Sequence, residues 1–212
     1  MANDGTLTRV DVGGYSLAIR CSGRGRPVVV LEAGAGLASG RWRRTQRVVE
    51  RTNRVCSYDR AGIGASDEQP VGVERTTAED LHALLARARI PAPYVLAGHS
   101  AGGAYVVDYA NAYPEDVVGI VLVDSVGTGG LPYGDMPLVV LEAARDRGPG
   151  WIPTQGDVAA ISENGVHVLA PESGHHVQAG QPELVAAAIR AVARGGQLPP
   201  CDSFVRFGGA CP

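Results

Sequence analysis

The segment Tyr94-Val95-Leu96-Ala97-Gly98-His99-Ser100-Ala101-Gly102-Gly103 changes its periodicity at one serine. The apolar run Tyr94–Ala97 reads as a buried strand, and Ala101–Ala112 reads as a helix that Pro114 ends. Between them lies Gly98-His99-Ser100-Ala101-Gly102, a G-x-S-x-G turn in strand–turn–helix context. Such a turn holds Ser100 in a strained conformation at the strand's carboxyl end. Glycines two residues to either side are required because side chains there would collide with neighbouring backbone. The helix that follows points its amino end at the serine and favours developing negative charge.

Outward from this turn the chain alternates between strands and helices. Thr8–Val12 and Tyr15–Cys21, around Gly13-Gly14, predict two antiparallel strands. Val28–Leu31, Arg54–Tyr58, Ile120–Val123, Pro137–Leu141 and Val166–Leu169 predict further strands. Helices are predicted over Trp42–Arg51, Thr76–Arg89 (with Thr77 and Asp80 as the capping signal), Gly156–Ile161 and Pro182–Ala193. The fold class is therefore α/β, a mostly parallel sheet covered on both faces. The expected organisation is a domain over residues 1–194 and an irregular tail over 195–212, rich in Gly, Pro and Cys.

Composition removes several chemistries. The chain has 212 residues, 45% hydrophobic, with net charge −3. All 19 basic residues are arginines, so Schiff-base chemistry, a phosphate-loop lysine and a lysine general base are excluded. The slightly acidic balance argues against nucleic acid, and no apolar run reaches the length of a membrane span. Met1-Ala2-Asn3-Asp4-Gly5 lacks a basic region followed by an apolar one, so the expected location is cytoplasmic, with four inert thiols. Cys201 and Cys211 keep the alternative open, because they could close a small disulfide loop of a secreted protein. No C-x-x-C pair occurs, and neither a metal site nor a cofactor is expected.

A serine hydroxyl is a poor nucleophile unless a base takes its proton. Of five histidines, His82 belongs to a helix surface, His99 to the turn and His167 to a strand. His175 and His176 follow Pro171-Glu172-Ser173-Gly174, where a loop at the sheet's carboxyl edge falls. His175 is the expected base, with His176 as its control. Asp59 and Arg60, beside Gly62 and Gly64, read as a structural loop anchor.

Jointly, Val28–Trp42, Tyr58-Asp59-Arg60-Ala61-Gly62-Ile63-Gly64-Ala65-Ser66, Gly98–Gly102 and Ser173-Gly174-His175 through Gln181-Pro182-Glu183-Leu184 resemble the α/β-hydrolase superfamily in the expected order. The resemblance implies an eight-stranded sheet, Ser100 as nucleophile and His175 as base. It also implies an oxyanion hole from the amides of Ala101 and of Ala35 in Glu32-Ala33-Gly34-Ala35-Gly36. It leaves two triad acids open: Asp124, the favoured one, after the sixth strand, and Asp146 after the seventh. Members commonly insert a helical lid after the sixth strand. Here only Ser125–Met136 intervenes, so an open site without a lid is expected, its mouth lined by Leu37, Leu131, Tyr133, Trp151 and Ile152.

The implied activity is serine-hydrolase cleavage of a small-molecule ester, lactone or thioester through an acyl-enzyme. Perhydrolysis of the haloperoxidase kind, a lactonising or cyclising step in small-molecule biosynthesis, and an inert binding protein on the same scaffold stay open. A dinucleotide-dependent reductase is more remote. Gly34, Gly36 and Gly40 follow a strand and Asp59 ends the next, but the glycine spacing is one residue too long.

Overall fold

The computed structural model describes residues 4–125, 134–145 and 155–212. Eight strands form one sheet: β1 (Asp4–Asp11), β2 (Ser16–Ser22), β3 (Val28–Glu32), β4 (Val55–Tyr58), β5 (Tyr94–His99), β6 (Val117–Val123), β7 (Leu138–Ala143) and β8 (Gly165–Ala170). Their spatial order is β1-β2-β4-β3-β5-β6-β7-β8. Pairings β1–β2 and β2–β4 are antiparallel and all others are parallel. The central strands are buried on both faces, so they read as continuous apolar runs, and successive residues feed opposite cores.

Val28, Val30, Leu96, Ile120 and Leu122 belong to the core under α2 (Thr77–Arg87), α3 (Ala101–Ala112) and α4 (Gln155–Ala159). Val29, Leu31, Val95, Ala97, Val121 and Val123 belong to the core under α1 (Arg43–Val49) and α6 (Pro182–Ala193). Chain order reverses at β3, whose neighbours are β4 and β5. Sheets of this kind open a crevice at such a switch point, beyond the carboxyl ends of the strands.

Several local expectations shift. The predicted Trp42–Arg51 helix begins with a 3-10 turn over Ser39–Trp42, and α1 covers only Arg43–Val49. The capping box of α2 lies one residue earlier than expected. Thr76 Oγ1 accepts from Glu79 N (3.2 Å) and Glu79 Oε2 accepts from Thr76 N (2.8 Å), which satisfies two orphan donors reciprocally. A short helix, α5 (Val177–Gly180), follows the histidine pair.

The tail is more ordered than expected. Cys201–Phe207 forms a 3-10 helix, Leu198 and Phe204 are buried in the second core, and Ala210 bridges to Leu169 on β8. Apolar side chains spaced along a Gly- and Pro-rich segment gave it a surface to pack. The expectation of four free thiols is also corrected. Cys21 pairs with Cys56 across the β2–β4 register, and Cys201 pairs with Cys211. The first pair is invisible in sequence because it depends on which strands become neighbours. Among the described residues, no helix is long and apolar enough to cross a membrane.

Candidate active site

Ser100 joins β5 to α3 with φ 54° and ψ −127°. A non-glycine residue holds such a conformation only where its surroundings enforce it. Ser100 N donates to Val123 O (3.1 Å), and its carbonyl accepts from Gly103 N (3.0 Å) and Ser125 Oγ (3.0 Å). The flanking glycines have no room for side chains. A Cβ on Gly102 would lie 2.6 Å from the Glu32 carbonyl oxygen and 2.7 Å from that of Ala33, and one on Gly98 would strike the Gly102 carbonyl. Gly103 is equally constrained, by the Ser125 side chain. No sequence pattern announced that contact.

On one side of Ser100, β6 leads directly into Asp124, itself at φ 43°. Asp124 N donates to Leu141 O (2.7 Å), and Asp124 Oδ1 accepts from Ala143 N (3.0 Å). Its other carboxylate oxygen lies 2.7 Å from His175 Nδ1. The Asp124 side chain is 4% exposed and that of His175 is 37% exposed, so a buried carboxyl group meets an imidazole open to solvent. An ionised carboxylate at Nδ1 selects the tautomer that protonates Nδ1 and leaves a lone pair on Nε2. The structure thus brings together Asp124 and His175, while Asp146 lies outside the described residues.

Three histidine rings crowd this side. His99 lies 4.6 Å from His175 and 5.2 Å from His176, centroid to centroid. Burial pushes His99 down to about 4, so it is neutral near pH 7. Its Nε2 therefore donates to the His175 carbonyl (2.8 Å), which ties the turn to the loop bearing His175. Its Nδ1 is buried, with no hydrogen-bond partner among the described residues. His176 is lowered by burial first, then by His175 and Arg41. His82 stacks on Tyr113 and His167 pairs with Glu142, both away from Ser100.

On the other side runs the loop after β3. A Cβ on Gly34 would sit 3.2 Å from both Ser100 Cβ and His99 Nδ1, so this loop passes directly over the turn. Ala35 is exposed at its crest and Ala101 is half-buried at the start of α3. Leu37 is only partly available to a ligand, because it packs against the core under α1 and α6. Leu131, Tyr133, Trp151 and Ile152 lie outside the described residues.

Asp59 accepts from Ser39 N (2.7 Å) and Ala65 N (3.0 Å), so its carboxylate is committed to loop amides rather than to a ribose. Arg60 also anchors a loop, as expected, and the loop is the one after β3. It pairs with buried Glu32, which also accepts from Tyr58 Oη, and it donates to the carbonyls of Ala33 (2.6 Å) and Gly34 (2.7 Å). A charged residue closing the apolar strand Val28-Val29-Val30-Leu31-Glu32 was the signal that could have found this cluster. Among the described residues, no three His, Cys, Asp or Glu side chains are grouped to hold a metal ion.

Known proteins agree with this geometry at the level of the fold. A thermophilic esterase from Thermogutta terrifontis superposes with a TM-score of 0.75 at 20% identity, covering 89% of this chain and 98% of that one. The "Probable transporter efuK" of Hormonema carpetanum is 36% identical over 125 residues, 55% of this chain and 18% of that protein. The "Putative carbamate hydrolase RutD" of Cronobacter turicensis is 34% identical over 109 residues, 49% of this chain and 40% of that protein. The chain thus spans less than half the length of these curated relatives. The sequence model of the alpha/beta hydrolase family matches residues 28–161, from β3 through Ser100 and Asp124 into the segment after α4, and the chain belongs to that family.

Proposed function

We propose that this chain is a serine hydrolase that cleaves a carboxylic ester, lactone or thioester through an acyl-enzyme. The observation that carries the reading is the 2.7 Å contact between Asp124 and His175 Nδ1, set beside a serine held at positive φ. Ser100 Oγ attacks the substrate carbonyl carbon while His175 Nε2 takes the hydroxyl proton. The resulting oxyanion is received by the amides of Ala101 and Ala35. Collapse of the tetrahedral intermediate breaks the bond to the leaving group, which departs with the proton from His175. Water, deprotonated by His175, then repeats the sequence on the acyl-enzyme and frees Ser100. Asp124 orients the ring and stabilises the imidazolium in both halves.

The names borne by a similar esterase fold and by a carbamate-hydrolase relative agree with attack on an acyl carbonyl. Intact-mass analysis after treatment with a fluorophosphonate tests the reading. One adduct on the wild type, absent from Ser100→Ala, is the expected result. An unmodified, folded wild type would instead favour a binding protein on a hydrolase scaffold.

A further inference from the structure

We propose that Arg60 is a positioning residue for the oxyanion-binding loop, held in place by Glu32, Tyr58 and Tyr105. This rests on the serine-hydrolase reading above. The Arg60 side chain is 11% exposed, and its guanidinium spans two successive carbonyls, Ala33 O at 2.6 Å and Gly34 O at 2.7 Å. In a trans peptide the carbonyl and the next amide point in opposite directions. Holding Gly34 O toward Arg60 therefore turns the Ala35 N–H away from the guanidinium, in the loop whose Gly34 packs on Ser100. Leu37 N also donates to Gly34 O (3.2 Å), so two donors fix the orientation of this one peptide plane.

The guanidinium is itself located from three directions. Glu32, fully buried at the end of β3, pairs with it. Tyr58 at the end of β4 donates to the second Glu32 oxygen, which leaves the first for Arg60. The Tyr105 ring on α3 lies 4.8 Å beneath the guanidinium, a cation–π distance. Three elements that meet at the turn thus converge on one planar group. A planar fork can hold two carbonyls and a carboxylate at fixed angles, and an ammonium cannot. A misdirected oxyanion donor costs most where charge has developed, so the loss should fall on the transition state.

The test compares wild type, Arg60→Lys and Glu32→Gln on a p-nitrophenyl ester. Affinity is measured for phenylboronic acid, whose tetrahedral adduct on a serine carries an oxygen in the oxyanion position. Arg60→Lys should lower kcat roughly 10- to 100-fold, change KM by less than about threefold, and weaken boronate binding in proportion to kcat. Glu32→Gln, which keeps shape and an acceptor oxygen, should show the same pattern at roughly three- to tenfold, and it carries the test alone if Arg60→Lys fails to fold. Values within about twofold of wild type for kcat and boronate binding in both variants overturn the inference. So does a fall in kcat with unchanged boronate affinity, the mark of a smaller folded fraction. A wild type that takes up no fluorophosphonate overturns the hydrolase reading itself, and this inference with it.

Discussion

The two flanks of Ser100 are built on different principles. On the β3–β4 flank, the loop carrying Ala35 is held through its backbone carbonyls by one buried guanidinium, and that guanidinium by a buried carboxylate. On the β6–β8 flank, side chain meets side chain: Asp124 faces His175, and His99 holds the His175 backbone carbonyl. On the proposed mechanism the first arrangement fixes a donor that must not move during reaction. The second fixes the axis of a ring and leaves one edge open, as a group exchanging protons with substrate and water would need. A preorganised dipole and a proton carrier need different supports, and on that reading each flank provides one.

Mutations should separate the flanks in this order. His175→Ala should cost at least about 1,000-fold in kcat, while His176→Ala should change it by no more than a few fold, measured on the same ester. Equal losses would mean that the histidine pair acts as a unit and that Asp124 does not single out His175. Asp124→Asn should cost on the order of 100- to 10,000-fold, because an amide can select the wrong tautomer, whereas Asp146→Asn should be close to neutral. The reverse result would move the acid to the segment after β7.

Each flank also carries one disulfide, and stability measurements compare them. Replacing Cys21 and Cys56 together by Ala opens a 35-residue separation just before Tyr58 and Arg60, and should cost about 4 kcal/mol by loop entropy. Replacing Cys201 and Cys211 opens a 10-residue separation in the tail that docks on β8, and should cost about 3 kcal/mol. Urea unfolding would rank them, and a larger loss from the tail pair would show that docking of residues 195–212 outweighs loop length.

The smallest effect is a pair of opposite pH slopes. Burial lowers His99 to about 4, so its contribution is complete above pH 6.5 and is lost as the pH falls toward 4. Burial raises Glu32 to about 7 against the pull of Arg60, so its contribution is complete below 4.5 and is lost as the pH rises through 7. Between pH 4.5 and 6.5 the two oppose each other. Relative to wild type, Glu32→Gln should therefore gain stability as the pH rises, and His99→Gln should gain it as the pH falls. Each slope is at most about 1.4 kcal/mol per pH unit. Parallel slopes in the two variants would contradict the assigned burial of one group.

The turn, the alternating strands and the histidine loop were legible because each is local. Strand period, the G-x-S-x-G spacing and the histidine pair after a predicted strand need only neighbouring residues to be recognised. Glu32 with Arg60, Cys21 with Cys56, and Gly103 with Ser125 were not legible, since each depends on which elements become neighbours in space. The tail misled for another reason. Its glycines and prolines speak against regular structure, and they outweighed Leu198 and Phe204, which speak for packing. The choice between two acids could not be read from sequence, because both aspartates follow predicted strands; the structure gives Asp124 a contact with His175, and Asp146 lies outside the described residues.

Four residues bordering 126–133 and 146–154 are each tied to the frame. Ser125 Oγ bonds to Ser100 O, Gly134 O accepts from Glu163 N, Arg145 N donates to Ser173 O, and Gln155 Nε2 donates to Ser125 O. Ser125 and Gln155 are thereby tied to the Ser100 carbonyl, and Arg145 to the loop that carries His175. Residues far apart in sequence thus hold Ser100 and His175 jointly, and a change at any one of these bonds would be felt by both.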